Sequence, residues 1–416
     1  MSIVFIKRHS HINWTLLDQA VVSGVNFLTG LLIARFLGIE AFGVFTLVWM
    51  AVLFVSSIQM ALISSPMMTI GPKQSDEDKA GYYGAVVMQQ IIFSTLTSLL
   101  LWVGVVFSDL INPQWQVLHL ALPLAMALFF FQNQDFLRRV FFTENRAIAA
   151  LINDIISYLG RIILLVVLFF NTDLTTAGVL WIIAITSAMA VIIGWYQLNK
   201  LVFSRKKLLS VFKHHWVLSK WLIATAVLQW TSAHYFILVA GSLLGPVAVG
   251  ALKAAQNIVG ISNILYQGFE NIVPASASRH FKNVGAKGLT QYLVKVAIFG
   301  GVANLIIAVS VSIFPEALLM FIFGEQYQGY GYILQLYALY YVVSFFSLPL
   351  RSGLRVIEMT KPIFLSYLLM SIFSLSFANI FVAYWGLEGA MIGMLVATGI
   401  SVFFLAFYFA SNIRQA

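Results

Sequence analysis

The sequence predicts an all-α polytopic membrane protein. Twelve transmembrane helices are expected, in two six-helix pseudo-symmetric bundles around a central cavity. Three observations lead there. Of 416 residues, 61% are hydrophobic and 9% charged, where a soluble domain carries roughly a quarter charged residues. Lys and Arg recur on alternate connections, and the chain repeats itself at half its length. Mean hydropathy is +0.92 from end to end, which excludes a soluble enzyme on a single anchor. Unbroken apolar runs exclude a barrel of short alternating strands. The absence of cysteine removes disulfides, thiol nucleophiles and thiolate metal sites.

The expected spans are 14–36, 42–68, 82–107, 117–142, 148–170, 177–199, 217–243, 247–272, 290–314, 331–350, 362–384 and 388–410. Each approaches the roughly 20 apolar residues that cross a bilayer. Lys7 and Arg8 precede the first run, which is too long for a signal-peptide core and is read as a retained helix. With the N-terminus in the cytoplasm, most of the 24 basic residues fall on inside segments. Lys200, Arg205, Lys206, Lys207, Lys213 and Lys220 surround the central connection. The outside loops hold Arg35 and the acids Glu40, Asp109, Asp173, Glu316, Glu325 and Glu388. Both termini are therefore expected in the cytoplasm. The net charge of +9 reads as a topology signal rather than a nucleic-acid surface. Connections are short, so chemistry must sit among the helices.

The repeat divides the chain into residues 1–207 and 208–416, with the basic stretch from Lys200 to Val217 as linker. Leu37-Gly38-x-x-Ala41-x-Gly43 returns as Leu244-Gly245-x-x-Ala248-x-Gly250. Pro66 returns as Pro274, and Leu137-Arg138 as Leu350-Arg351. Six spans per half is an even number, so both halves enter from one side, as in parallel-repeat transporters.

Polar residues inside spans are costly and usually face protein or water. At 100° per residue, Lys253, Gln256, Asn257, Gly260, Asn263, Gln267 and Glu270 share one face of span 8. Asp18, Gln19, Ser23, Asn26 and Thr29 share a face of span 1. Thr225, Gln229 and Ser232 do so on span 7, and Asp154, Ser157, Tyr158 and Arg161 on span 5. Gln132, Asp135 and Arg139 do so at the cytoplasmic end of span 4. These stripes predict a hydrated cavity lined by spans 1, 2, 7 and 8. Lys253 and Arg161 lie roughly 9–14 Å from the outer end of their spans, and cations at that depth favour an anionic substrate. A structural ion pair with a neighbouring acid is the competing role for each. Tyr327, Tyr330, Tyr332, Tyr337, Tyr340 and Tyr341 read as an interfacial aromatic belt. His214 and His215 read as solvated surface, and His234 as packing.

Val25-Asn26-Phe27-Leu28 followed by Ala34-Arg35-Phe36-Leu37-Gly38-Ile39-Glu40-Ala41-Phe42-Gly43 resembles the start of the Wzx-type polysaccharide and O-antigen flippases. Gly353-Leu354-Arg355, Thr360-Lys361-Pro362 and Gly386-Leu387-Glu388-Gly389-Ala390 are similar to the last two helices of that family. Its superfamily also holds the multidrug and toxin extrusion (MATE) transporters and the lipid II flippases. The resemblance implies a MATE-like fold with alternating access. It also implies transfer of undecaprenyl-diphosphate-linked oligosaccharide to the outer leaflet of the bacterial inner membrane. Lys253, Arg161, Arg35, Asn257, Gln256, Gln229, Asn26 and Arg139 are the expected substrate contacts. Arg35 matches the family's arginine at the end of span 1 but points away from that helix's polar stripe, so headgroup anchor and substrate contact both stay open.

No cofactor, metal or enzymatic activity is expected. H⁺ or Na⁺ is the candidate coupling ion, with Asp18 and Asp154 as its candidate ligands. Expected partners are the lipid-linked oligosaccharide and membrane lipids, with a polysaccharide polymerase and a chain-length regulator as protein candidates. A cation-coupled drug antiporter of the same fold is the alternative. A membrane acyltransferase would rest on His234 alone.

Overall fold

The computed structural model describes residues 2–111, 117–171 and 173–413, with side chains from residue 24 onward except 111, 264 and 271. Among these residues there is no strand. Helices are the expected outcome of a chain whose backbone groups must be satisfied without water. The order is α1 (Ser2–Gln59), α2 (Ser65–Ile70), α3 (Asp76–Ile111), α4 (Ala121–Thr143), α5 (Ala147–Asp154), α6 (Gly160–Asn171), α7 (Thr176–Gln197) and α8 (Arg205–Leu244). There follow α9 (Pro246–Val259), α10 (Ser262–Ile313), α11 (Pro315–Phe323), α12 (Gly331–Phe345), α13 (Ser347–Val356) and α14 (Lys361–Asn412). Local chemistry sets several ends. Thr175 caps α7 by accepting from the Gly178 amide at 3.1 Å. Three acids, Asp76, Glu77 and Asp78, open α3, where the helix dipole favours them.

Nine helical segments of the described residues are long and apolar enough to cross a membrane. Three of them bend at a non-helical glycine: Gly38 in α1, Gly285 in α10 and Gly386 in α14. The expected twelve spans follow only if these three are divided at their glycines. Span 8 also differs from expectation. It is interrupted at Gly260, whose amide is shared between the carbonyls of Gln256 and Asn257. The tightened turn splits the polar stripe into Lys253, Gln256 and Asn257 on α9 and Asn263, Gln267 and Glu270 on α10.

By internal contacts the chain forms two compact units. One is Met1–Leu37 with Val48–Val227, the other Gly38–Leu47 with Leu228–Ala416. The boundary read from sequence, 207/208, falls in the first turn of α8, which runs unbroken through both assignments.

In the first unit, a core of Met67, Tyr82, Val86, Phe136, Leu137, Phe141 and Val211 ties α2, α3, α4 and α8 together. Two turns of wider π geometry interrupt its helices, Met60–Ser64 and Ile155–Leu159. In the second unit, Val273, Leu289, Leu293, Phe345, Leu354, Leu405 and Phe409 join α10, α12, α13 and α14.

The second unit also shows why the Leu-Gly motif is repeated. Gly38 and Gly245 adopt φ of 77° and 85°, a region that favours glycine. A Cβ on Gly43 would collide with the Pro246 carbonyl, and one on Gly250 with the Ile39 carbonyl. Ile39 and Pro246 are themselves equivalent positions of the motif, so the contact is reciprocal. Gln326 seals it by accepting from the Ile39 amide at 3.2 Å.

Candidate functional site in each unit

In the first unit the polar residues of span 5 are buried as the stripe implied: Asp154, Ser157, Tyr158 and Arg161. Asp154 is the last residue before the π turn and Arg161 follows it. The extra residue of such a turn rotates the later positions by about 100° relative to a regular helix. The acid and the arginine consequently have different surroundings. Asp154 is 0% exposed. It forms an ion pair with Arg138 of α4 and accepts from Gln134 Nε2 at 2.9 Å. Gln134 Nε2 also reaches Asn153 Oδ1 at 2.9 Å, and Asn153 donates to the Ala190 carbonyl at 2.9 Å. Arg161 is 3% exposed, with its guanidinium over the Tyr158 ring at 5.2 Å. Its Nε and Nη2 have no hydrogen-bond acceptor. No carboxylate pairs with it among the described residues.

Arg139 is occupied locally. It pairs with Asp135 one turn away, at 2.8 and 3.2 Å. Arg35 and Asn26 are exposed. The side chains of Asp18, Gln19 and Ser23 lie outside the described residues.

In the second unit, Lys253 Nζ donates to Gln256 Oε1 at 2.8 Å. The Asn257 Nδ2 beside it is buried without an acceptor. His234 bonds the Trp230 carbonyl through Nδ1 at 2.9 Å and stacks on the Trp230 ring, which is the packing role expected. Gln229 is exposed. The structure thus gathers Lys253, Gln256 and Asn257 on one helix, while Gln229 lies exposed on α8.

Two sequence readings are corrected. Of the six tyrosines read as an interfacial belt, Tyr327, Tyr337 and Tyr341 are buried in the packing of the second unit, whereas Tyr332 is exposed and Tyr330 and Tyr340 are half-buried. Tyr341 accepts from Asn263 and Tyr266 donates to Ser344, so this cluster serves α10–α12 packing. His215 is buried and bonded to the Tyr82 hydroxyl at 2.9 Å, while its neighbour His214 is exposed. A helix places adjacent residues about 100° apart, so one histidine of the pair faces the core.

The largest omission from the sequence reading is Arg138 as the counter-charge of Asp154. Gln134 and Arg138 are spaced i, i+4, so they share a face, which was the available signal. The same position has a parallel in the second unit. Arg351 and Tyr367 stand 213 residues after Arg138 and Asp154, and Arg351 donates to the Tyr367 hydroxyl. A phenol there takes the place of the carboxylate at that position, and Arg351 finds its counter-charge in Glu270 of α10 at 3.6 Å instead. By that offset Arg161 corresponds to Ser374. By the 207-residue offset of the glycine motif, Lys253 corresponds to Thr46, which bonds its own helix at Phe42 O.

A family model described as "Polysaccharide biosynthesis protein" matches residues 10–280. The chain belongs to this family. No curated protein matches the sequence. Among solved structures, this polysaccharide biosynthesis family chain is similar to an inward-facing multidrug resistance MATE transporter of the MOP superfamily. Identity is 14%, coverage 97% and 98% of the two chains, and the TM-score 0.73. A Vibrio cholerae MATE transporter is 15% identical over 98% and 97%, with a TM-score of 0.65. A MOP superfamily transporter from Pyrococcus furiosus is 12% identical over 97% and 95%, also at 0.65. That protein is described by a binding pocket of reverse polarity that suggests a different function. The likeness establishes a MATE-like fold for a multi-pass membrane protein.

Proposed function

We propose that the protein is a flippase for undecaprenyl-diphosphate-linked oligosaccharide, working by alternating access. It would carry its substrate from the cytoplasmic to the outer leaflet of the bacterial inner membrane, for O-antigen, capsule or exopolysaccharide assembly. Twelve spans with both termini cytoplasmic, and a division near 207/208, belong to this reading.

The observation that carries it is Arg161. A buried guanidinium with Nε and Nη2 left without an acceptor is costly, and the fold does not require it, because the repeat-equivalent position is Ser374. Lys253 likewise stands where the other half has Thr46. Arg161 and Lys253 both depart from the internal repeat, and both bring positive charge into spans. A planar donor fork and a mobile ammonium suit a diphosphate, and Gln256 and Asn257 add amides for hydroxyl-rich sugar. The family match to polysaccharide biosynthesis supports the same substrate class. That a MOP superfamily relative in fold is described with a pocket of reverse polarity agrees with a change of substrate charge on this scaffold.

The antiporter reading draws on the likeness to multidrug MATE transporters. It needs an acid free to take a cation; of its two candidates, Asp154 is committed to Arg138 and Gln134, and the side chain of Asp18 lies outside the described residues.

The test is gene deletion in the native host, followed by extraction of lipid-linked glycans. The expected result is cytoplasmic-leaflet accumulation of the diphosphate-linked oligosaccharide with loss of surface polysaccharide. Complementation with Arg161→Ser plus Lys253→Thr at normal protein levels should fail. Intact surface glycan in that strain would sink the reading. Unchanged glycan with altered sensitivity to cationic toxins would favour the antiporter.

A further inference from the structure

The start of α8 carries a surface that the transport reading does not use. Its inner line is Val211, His215 and Ser219, all buried. His215 bonds Tyr82, Ser219 donates to the Leu62 carbonyl at 3.0 Å, and Lys207 pairs with Asp78 at 2.7 Å. These contacts fix which side faces out. At 100° per residue, Lys206, Lys213 and Lys220 fall within about 40° of one another, opposite that inner line. All three are exposed. Leu209, Phe212 and Trp216 flank them on one side, and Val217 and Trp221 on the other, all exposed. Trp221 alone is 68% exposed. Phe212 stacks on Trp216 with centroids 6.3 Å apart, and Lys220 Nζ lies 6.0 Å from the centroid of the Trp221 ring.

Charge and level say what covers this face. No Asp or Glu occurs in the sequence between Asp173 and Glu270. On the neighbouring α3, Asp78 is taken by Lys207 and Asp76 by Lys79, which leaves Glu77, exposed, as the one acid of that turn without an ion pair among the described residues. The charged first turn of α3 precedes an apolar body that begins at Tyr82, and His215 sits against Tyr82. The outward face of α8 around Lys213 and Trp216 is therefore level with the entry of α3 into the membrane. Lysines with apolar stems beside tryptophans, at that level, match an interface of hydrocarbon and phosphate.

We propose that this face of α8 binds anionic phospholipid headgroups of the cytoplasmic leaflet. The phosphates meet Lys206, Lys213 and Lys220 while the acyl chains cover Phe212, Trp216, Val217 and Trp221. The site is separate from the residues assigned to substrate, and the inference stands whether or not those residues move a glycan.

Full-length protein reconstituted in phosphatidylcholine, with spin-labelled phosphatidylglycerol or phosphatidylcholine as probe, tests it by the motionally restricted fraction. Each basic residue near an anionic surface contributes up to about a fivefold preference, reduced by salt. The wild type should prefer phosphatidylglycerol at least about threefold. K206Q/K213Q/K220Q should bring the ratio close to one, and K206R/K213R/K220R should keep it. Equal binding of both probes by the wild type would overturn the proposal. So would an unchanged ratio in the glutamine variant, or loss in the arginine variant.

Discussion

Arg138 and Asp154 form a pair that stabilises only while both are present. The Arg138 side chain is 14% exposed and that of Asp154 0%. Removing one partner leaves a nearly buried charge uncompensated, at a cost of about 3–5 kcal/mol. Asp154→Asn keeps the shape and the Gln134 contact but leaves Arg138 without counter-charge. Its melting temperature in detergent should fall by several degrees, and the double variant D154N/R138Q should recover part of the loss. Arg161 behaves in the opposite sense. It carries an unpaired buried charge, so Arg161→Ser should melt no lower than the wild type while losing transport. A fall in melting temperature equal to that of Asp154→Asn would make Arg161 a structural residue. Sequence reading recognised the buried face of Asp154, Ser157, Tyr158 and Arg161 from its periodicity. It did not separate acid from arginine, because the rotation at Ile155–Leu159 leaves no signature in apolar spacing.

Among the elements, the glycine motif is the most exacting. Gly43 and Gly250 face backbone carbonyls, which cannot rotate aside as a side chain would. Gly43→Ala and Gly250→Ala should each lower the yield of folded protein sharply, read by size-exclusion profile. Gly245 has positive φ but open space at its Cβ position. Gly245→Ala isolates the conformational term, about 1–2 kcal/mol, and should give folded protein with a modestly lower melting temperature. The motif is legible as a repeat; its reciprocal packing is not, since two segments 207 residues apart give no local sign of contact. Likewise the periodicity from Lys253 to Glu270 predicts one helix where the structure has α9 and α10. Gly260 is compatible with an apolar helix in sequence, and only the shared amide shows the tightened turn.

For the whole molecule, orientation is the open physical quantity, and the sequence offers a direct route to it. With no native cysteine, single cysteines report sidedness without background. Cysteines at Asp173 and Glu388 should react with an impermeant maleimide added outside cells, and one at Asn199 only after permeabilisation. The reverse pattern would invert the topology and place Lys213 and Trp216 at the outer surface. The positive-inside argument rests on Lys and Arg counts alone, so this labelling tests it independently of the fold.

The sequence by itself determined the solvent, the helical class, the repeat and which faces are polar. These follow from composition and from a 3.6-residue period, which are local properties. The resemblance drawn from two short motifs led to the family that the match over residues 10–280 establishes. Only the tertiary structure decided partners. It gave Asp154 to Arg138 and His215 to Tyr82, and left Arg161 with unbonded nitrogens, whereas the i,i+4 pair of Arg139 with Asp135 follows from spacing on one helix. A charge is neutralised or left free by groups distant in sequence, at angles set by π turns and glycine bends. Spacing along one helix carries no information about them.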